Sequence, residues 1–116
     1  ACRIINVKQG RVGGLAEAVR VHDVCRNRQI ANWCGGMLES GIGRALNIAL
    51  STLENFRLPG DVSASQRYWK EDVIEPAVEV TPDGMIDVPQ GPGLGYEIKS
   101  SLIEKLTVRK EIVKPA

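Results

Sequence analysis

Aromatic side chains are scarce in this chain: one Phe, two Tyr and two Trp make up 4% of 116 residues. Histidine occurs once, as His22. A nucleophilic cysteine needs a histidine partner and a third group to orient it. His22 lies inside a helical pattern that explains it as a packing residue at the edge of an apolar stripe, so a Cys–His nucleophile is not indicated. The three cysteines, Cys2, Cys25 and Cys34, are odd in number, and no two have the spacing of a zinc pair. Reduced, partly buried thiols suit a cytoplasmic setting, which is the expected location. No apolar run approaches the roughly 18 to 20 residues of a transmembrane helix. The first residues do not resemble a signal peptide, so no membrane is expected as a partner. A net charge of +1, from 15 basic and 14 acidic residues, gives no reason to expect nucleic acid. The glycines form neither G-x-G-x-x-G nor a Walker sequence, which argues against a nucleotide.

What is present reads as one globular domain, with 43% hydrophobic and 25% charged residues. Its organising stretch is RIINVKQGRVGG, residues 3–14. A β-branched run ends in Lys8, a glycine-rich turn with a second cation, Arg11, follows, and an amphipathic segment begins at once. This is the order of a buried parallel strand, a functional loop and a covering helix. Alternation places Ile4, Asn6 and Lys8 on one face and Ile5 and Val7 on the other, against helices. In barrels of parallel strands, active sites are built at the carboxyl ends of strands, so Lys8 is the candidate chemical centre. A lysine acting as a base must be neutral for part of its cycle. Neighbouring positive charge favours that state, and Arg11 is three residues away. The plain alternative for Lys8 is a solvated strand end.

A helix is expected over residues 14–28, with Leu15, Ala18, Val19, Val21, His22 and Cys25 on its apolar stripe. A second strand follows at 30–34, after the interval that a βαβ crossover requires. Gly35-Gly36 break that strand, and residues 37–40 form a loop. A helix over 41–53 buries Ile42, Ala45, Leu46, Ala49, Leu50 and Leu53. The glycine pair either lets the backbone approach a ligand closely or serves a tight turn that needs positive φ. A third short strand at 56–58 ends at Pro59, with Asp61 just beyond it. The β-loop-α repetition indicates an α/β fold, either a doubly wound sheet or a (β/α)8 barrel. After residue 66 the pattern changes to α+β. Strands at 77–80 and 85–88 flank an Asp83-Gly84 turn, a short helix is expected at 99–106 and an alternating edge strand at 107–113. The chain opens almost directly on a strand, without the loose residues usual at an amino terminus, and is expected to be the later part of a longer chain.

Four stretches in order, INVKQGRVGG, WCGGMLESGIGRALNIALSTL, NFRLPGDVSASQRYW and DVPQGPGLG, resemble the C-terminal part of the o-succinylbenzoate synthase / N-acylamino acid racemase branch of the enolase superfamily. The resemblance implies the last three strands of a (β/α)8 barrel within residues 1–66 and a contribution to a capping domain from 67–116. It implies abstraction of a proton α to a carboxylate by a pair of lysines on opposite faces of the substrate, with the enediolate held on a divalent metal, Mg or Mn. Lys8 matches one of those lysines, and Arg11 matches the arginine that tunes it. Gly36 and Met37 match substrate-contacting positions, and Tyr68 an aromatic wall of the pocket. The second lysine and the acidic metal ligands have no match here, so no metal ligand is assigned in this chain. Glu39 and Asp61, in later loops, are expected to orient Lys8 or the substrate. Gln9 stands where the branch often has proline. The implied partners are a small-molecule carboxylate, the N-terminal part of the same enzyme, and further copies in a homo-oligomer. The fragment alone is expected to be inactive. The alternatives are a non-catalytic half-barrel assembly module or another superfamily activity such as dipeptide epimerisation.

Overall fold

The computed structural model describes residues 2–114. β1 (Ile4–Val7) leads into a short helix α1 (Gln9–Val12) and then α2 (Leu15–Asn27). β2 (Ala31–Cys34) and α3 (Gly41–Ser51) follow. β1 and β2 pair in parallel, with Ile4 opposite Ala31, Asn6 opposite Trp33 and Val7 opposite Cys34. Parallel strands need a crossover, which α1 and α2 provide. The glycine-rich stretch is not a bare turn, because α1 occupies its first half. Gly13 (φ 99°) closes α1 and Gly14 (φ 102°) opens α2, in left-handed backbone that favours glycine.

One face of the strand pair carries the core. Val7, Ala18, Cys34 and Leu50 are buried together, with Ile5, Val19, Val21 and Phe56 packed around them. This matches the expected assignment of Ile5 and Val7 to the helix side. The other face, with Ile4 and Asn6, is exposed. His22 is buried at 4% exposure, as a packing residue should be, but it also hydrogen-bonds. Its Nε2 accepts the Asn55 N–H at 3.1 Å, its Nδ1 lies 2.9 Å from Asp23, and its ring stacks on Phe56.

Several expected elements differ. The third strand at 56–58 is reduced to a single parallel bridge between Asn32 and Phe56. Its next bond, Leu58 N–H to Asn32 O, is already 3.4 Å, and Pro59 ends the pairing. The Asp83-Gly84 turn forms, with Gly84 at φ 80° and Thr81 N–H donating to Met85 O at 2.8 Å. The flanking segments 77–80 and 85–88 do not become strands. Pro76, Pro82 and Pro89 remove donors beside both. The short strands of this region are instead β3 (Ile74–Glu75) and β4 (Glu97–Ile98), which pair antiparallel. The helix expected at 99–106 is α4 (Ser100–Leu106). Residues 107–113 form no strand. Val108, Ile112 and Val113 are exposed and no neighbouring strand offers a ladder.

α3 is buried on two sides rather than along one stripe. Leu50 joins the strand core, while Ile48 packs on Ile74 and Val78 from the C-terminal region. This second contact explains why Arg44 and Asn47 are buried on α3 while Ala49, expected inside, is exposed. Among the described residues, no helix is long and apolar enough to cross a membrane.

Candidate active site

Lys8 stands at the carboxyl end of β1, immediately before α1. Its Nζ donates to Gly36 O at 2.9 Å and lies 5.9 Å from the centre of the Trp33 ring, within cation–π range. It lines a cleft of about 310 Å³ together with Gln9, Gly35, Met37, Glu39 and Asn47. The strands explain this placement. Asn6 and Trp33 are register partners, so Trp33 shares the face from which Lys8 projects.

Gly35 and Gly36 do not have positive φ. They are small because the chain crowds them. A Cβ on Gly35 would overlap Asn6 Oδ1 and Lys8 Nζ and lie 2.7 Å from Lys8 Cγ. A Cβ on Gly36 would overlap the backbone oxygen of Asp61. The close approach expected of this pair is therefore to the chain's own lysine and aspartate. Gly36 N–H donates to the Asp61 carboxylate, and Asp61 N–H donates to Cys34 O at 3.1 Å. Glu39 folds back over the same loop. Its carboxylate accepts the Met37 N–H at 2.6 Å and the Asn47 side-chain amide.

The end of this loop is tied to the C-terminal region. Glu39 O accepts Arg44 Nη2 at 3.2 Å and Trp69 Nε1 at 3.1 Å. Arg44 also pairs with Asp72 at 2.8 Å, both side chains being 1% exposed. The Asp72 carboxylate further accepts Ser65 Oγ at 2.6 Å and the N–H groups of Gly41 at 2.7 Å and Val73 at 2.8 Å. Burial alone would push the Asp72 carboxyl up, but the bonds from Ser65, Gly41 and Val73 and the Arg44 charge outweigh it and hold it below the usual carboxylate range. At Cys34, burial pushes the thiol above its ordinary value, and the charges of Asp61 and Glu39 add to this. A protonated, 2% exposed thiol is not a nucleophile.

The structure thus brings Lys8, Met37 and Glu39 around one cleft, with Gly36 bonded to Lys8 on one side and to Asp61 on the other. Arg11 is exposed on α1, and its backbone N–H donates to Lys8 O at 2.8 Å. Tyr68 lines a second cleft with Asp61, Val62 and Arg67, and its ring lies 5.7 Å from the Arg67 guanidinium. Asp61 lines only this second cleft, and its carboxylate reaches the loop of the first through the Gly36 N–H. Sequence reasoning missed Trp33, Asn47, Trp69, Arg44 and Asp72. Only Trp33 carried a readable signal, since its register with Asn6 follows once the strands are aligned. Among the described residues, no three His, Cys, Asp or Glu side chains converge as a metal site. Glu39 and Asp61, the acids on this rim, already accept hydrogen bonds from the loop. The residues present do not fit a divalent ion.

A β-strand ending in a lysine, a double-glycine loop and a helix start held by buried acid is a specific combination. Residues 1–102 match the family described as enolase C-terminal domain-like. The chain belongs to this family of the enolase superfamily. Its relatives include o-succinylbenzoate synthase of Geobacillus kaustophilus, 58% identical over 107 residues, covering 92% of this chain and 28% of the relative. An N-succinylamino acid racemase of Amycolatopsis is 53% identical over 110 residues, covering 95% of this chain and 29% of the relative. A crystal structure of an enolase-superfamily member from Listeria innocua superposes with a TM-score of 0.83 at 44% identity, over 90% of this chain and 28% of that one. These relatives place the chain in the synthase/racemase branch. It spans less than a third of the length of the enzymes it matches.

Proposed function

We propose that this chain is the C-terminal segment of an o-succinylbenzoate synthase / N-acylamino acid racemase that removes a proton α to a carboxylate. Residues 1–66 form the last three βα units of a (β/α)8 barrel, and 67–116 contribute to its capping domain. The observation that carries the reading is Lys8 at a strand's carboxyl end, lining the cleft with its ammonium held by Gly36 O at 2.9 Å. A fixed lysine at that position can take or return a proton on one face of a bound carboxylate substrate. Gly36 and Met37 offer backbone and an apolar side chain to the substrate. Tyr68 forms an aromatic wall, and Arg11 tunes Lys8. Enolase-superfamily enzymes use a divalent metal, typically magnesium. Bound in the full-length enzyme, it would supply a Lewis acid for the substrate carboxylate, on ligands outside these residues.

The opposing lysine also lies outside them, in the N-terminal part of the enzyme. The free edge of β1, opposite β2, is where that part pairs to close the barrel, since a lone strand pair leaves edges unprotected. The complete enzyme is a cytoplasmic homo-oligomer acting on a small carboxylate. The test is a pair of assays. The full-length enzyme should convert its substrate to o-succinylbenzoate or racemise N-succinylamino acids, or do both. The isolated 12.6 kDa chain should do neither. Activity in the isolated chain would overturn the proposal. An inactive full-length protein that still assembles would favour a non-catalytic module.

A further inference from the structure

Two hydrogen bonds meet on opposite ends of one peptide unit. The carbonyl of Gly36 accepts Lys8 Nζ at 2.9 Å, and the N–H of the next residue, Met37, donates to Glu39 Oε2 at 2.6 Å. A trans peptide is rigid, so fixing the direction of its N–H fixes the direction of its C=O. The negative charge of Glu39 at one end also polarises the carbonyl at the other, which strengthens the bond to a cationic lysine.

Glu39 is itself held. Asn47, 2% exposed on α3, donates its amide to Glu39 Oε1. Arg44 and Trp69 fix the Glu39 carbonyl at 3.2 Å and 3.1 Å. Both oxygens of its carboxylate are thus bonded to the chain itself, to Met37 and Asn47. We propose that Glu39 is a positioning residue for Lys8, acting through the single peptide unit between Gly36 and Met37. The proposal rests on the reading of Lys8 as a proton-transfer residue for one substrate face.

Asn47 supplies a means of testing it. Its Oδ1 is buried without a partner. In Glu39→Gln, a flipped Asn47 amide can accept from the new side-chain NH2 through that oxygen. The glutamine oxygen still receives the Met37 N–H. Both hydrogen bonds survive without the charge. Glu39→Ala loses both.

The experiment follows α-proton exchange of each enantiomer of an N-succinylamino acid separately, in deuterated buffer, with the full-length enzyme and saturating magnesium. Glu39→Ala should slow exchange of the enantiomer facing Lys8 by about 10²-fold, the scale for a misplaced catalytic group, and leave the other enantiomer much less affected. Glu39→Gln should recover most of that loss. Asn47→Ala should show the same enantiomer bias as Glu39→Ala in weaker form, and it decides the matter if Glu39→Ala does not fold. Equal slowing of both enantiomers in Glu39→Ala or Asn47→Ala would overturn the proposal. So would Glu39→Gln as defective as Glu39→Ala on both enantiomers, which would make Glu39 a charged group acting on the substrate. If wild-type enzyme neither exchanges an enantiomer nor forms o-succinylbenzoate, the underlying reading of Lys8 fails first.

Discussion

The two regions of this chain carry function in opposite ways. Residues 3–58 hold nearly all the regular structure: a parallel strand pair, its crossover helices and a core around Val7, Ala18, Cys34 and Leu50. They present Lys8. Residues 61–106 have only a 3-10 turn, two strands of two residues and one short helix. Yet this irregular region supplies Asp61, Trp69 and Asp72, which bind the loop and the start of the helix that follow β2. The ordered half presents Lys8, and the irregular half braces the backbone to which Lys8 is bonded. A segment can be structurally decisive through a few buried polar contacts.

The largest break in this arrangement is Asp72→Ala. It strands Arg44 as an unpaired buried charge and frees the Gly41 N–H, and such losses cost about 3–5 kcal/mol. Denaturant unfolding of the full-length enzyme checks this, and a loss under 1 kcal/mol would mean the C-terminal region braces little. The same carboxylate gives a pH signature. Its folded pKa lies below the ordinary value of 3.8, so the unfolded chain binds more protons. Its stabilisation is complete above the ordinary value and is lost as pH falls below it through the lowered folded value. Asp72→Asn should therefore flatten the acid limb of stability against pH. An unchanged acid limb would assign that limb to other carboxylates.

A smaller perturbation is Trp69→Phe, which keeps an aromatic ring but removes the Nε1–H bond to Glu39 O. It should cost about 1 kcal/mol, measured by thermal unfolding. The smallest is Glu54→Ala in the ordered half. Glu54 pairs with Arg26 at 2.9 Å, but both side chains are more than half exposed. Exposed pairs contribute about 0–1 kcal/mol, so stability should barely change. A larger loss there than at Trp69 would reverse the contrast between the regions.

The ordered half was largely legible in the sequence because local pattern determines it. The apolar run before Lys8, the period of α2 and the glycines after Cys34 all encode their own structure. Where a third strand was expected at 56–58, three residues and a proline left a single bridge. In the C-terminal half the Asp83-Gly84 turn and the helix near 99–106 form as expected, but the strands at 77–80, 85–88 and 107–113 do not, because the region's contacts are not local. Ile74 pairs with Ile98, and Asp72 reaches Arg44, across intervals no local rule spans. At the site, Lys8 and the glycine loop could be found from position alone. Glu39 was expected to orient Lys8 or the substrate, but its bonds to the Met37 N–H and the Asn47 amide require coordinates. Asn47 reads in the sequence as one more polar residue on a helix.

The central claim is that Lys8 moves a proton on one face of the substrate. It is tested most directly by Lys8→Ala in the full-length enzyme, following α-proton exchange of the two enantiomers of an N-succinylamino acid in deuterated buffer. Exchange of one enantiomer should fall by about 10²–10⁴-fold, as for loss of a general base, while the other continues to exchange without inversion. Unchanged exchange of both enantiomers would contradict it.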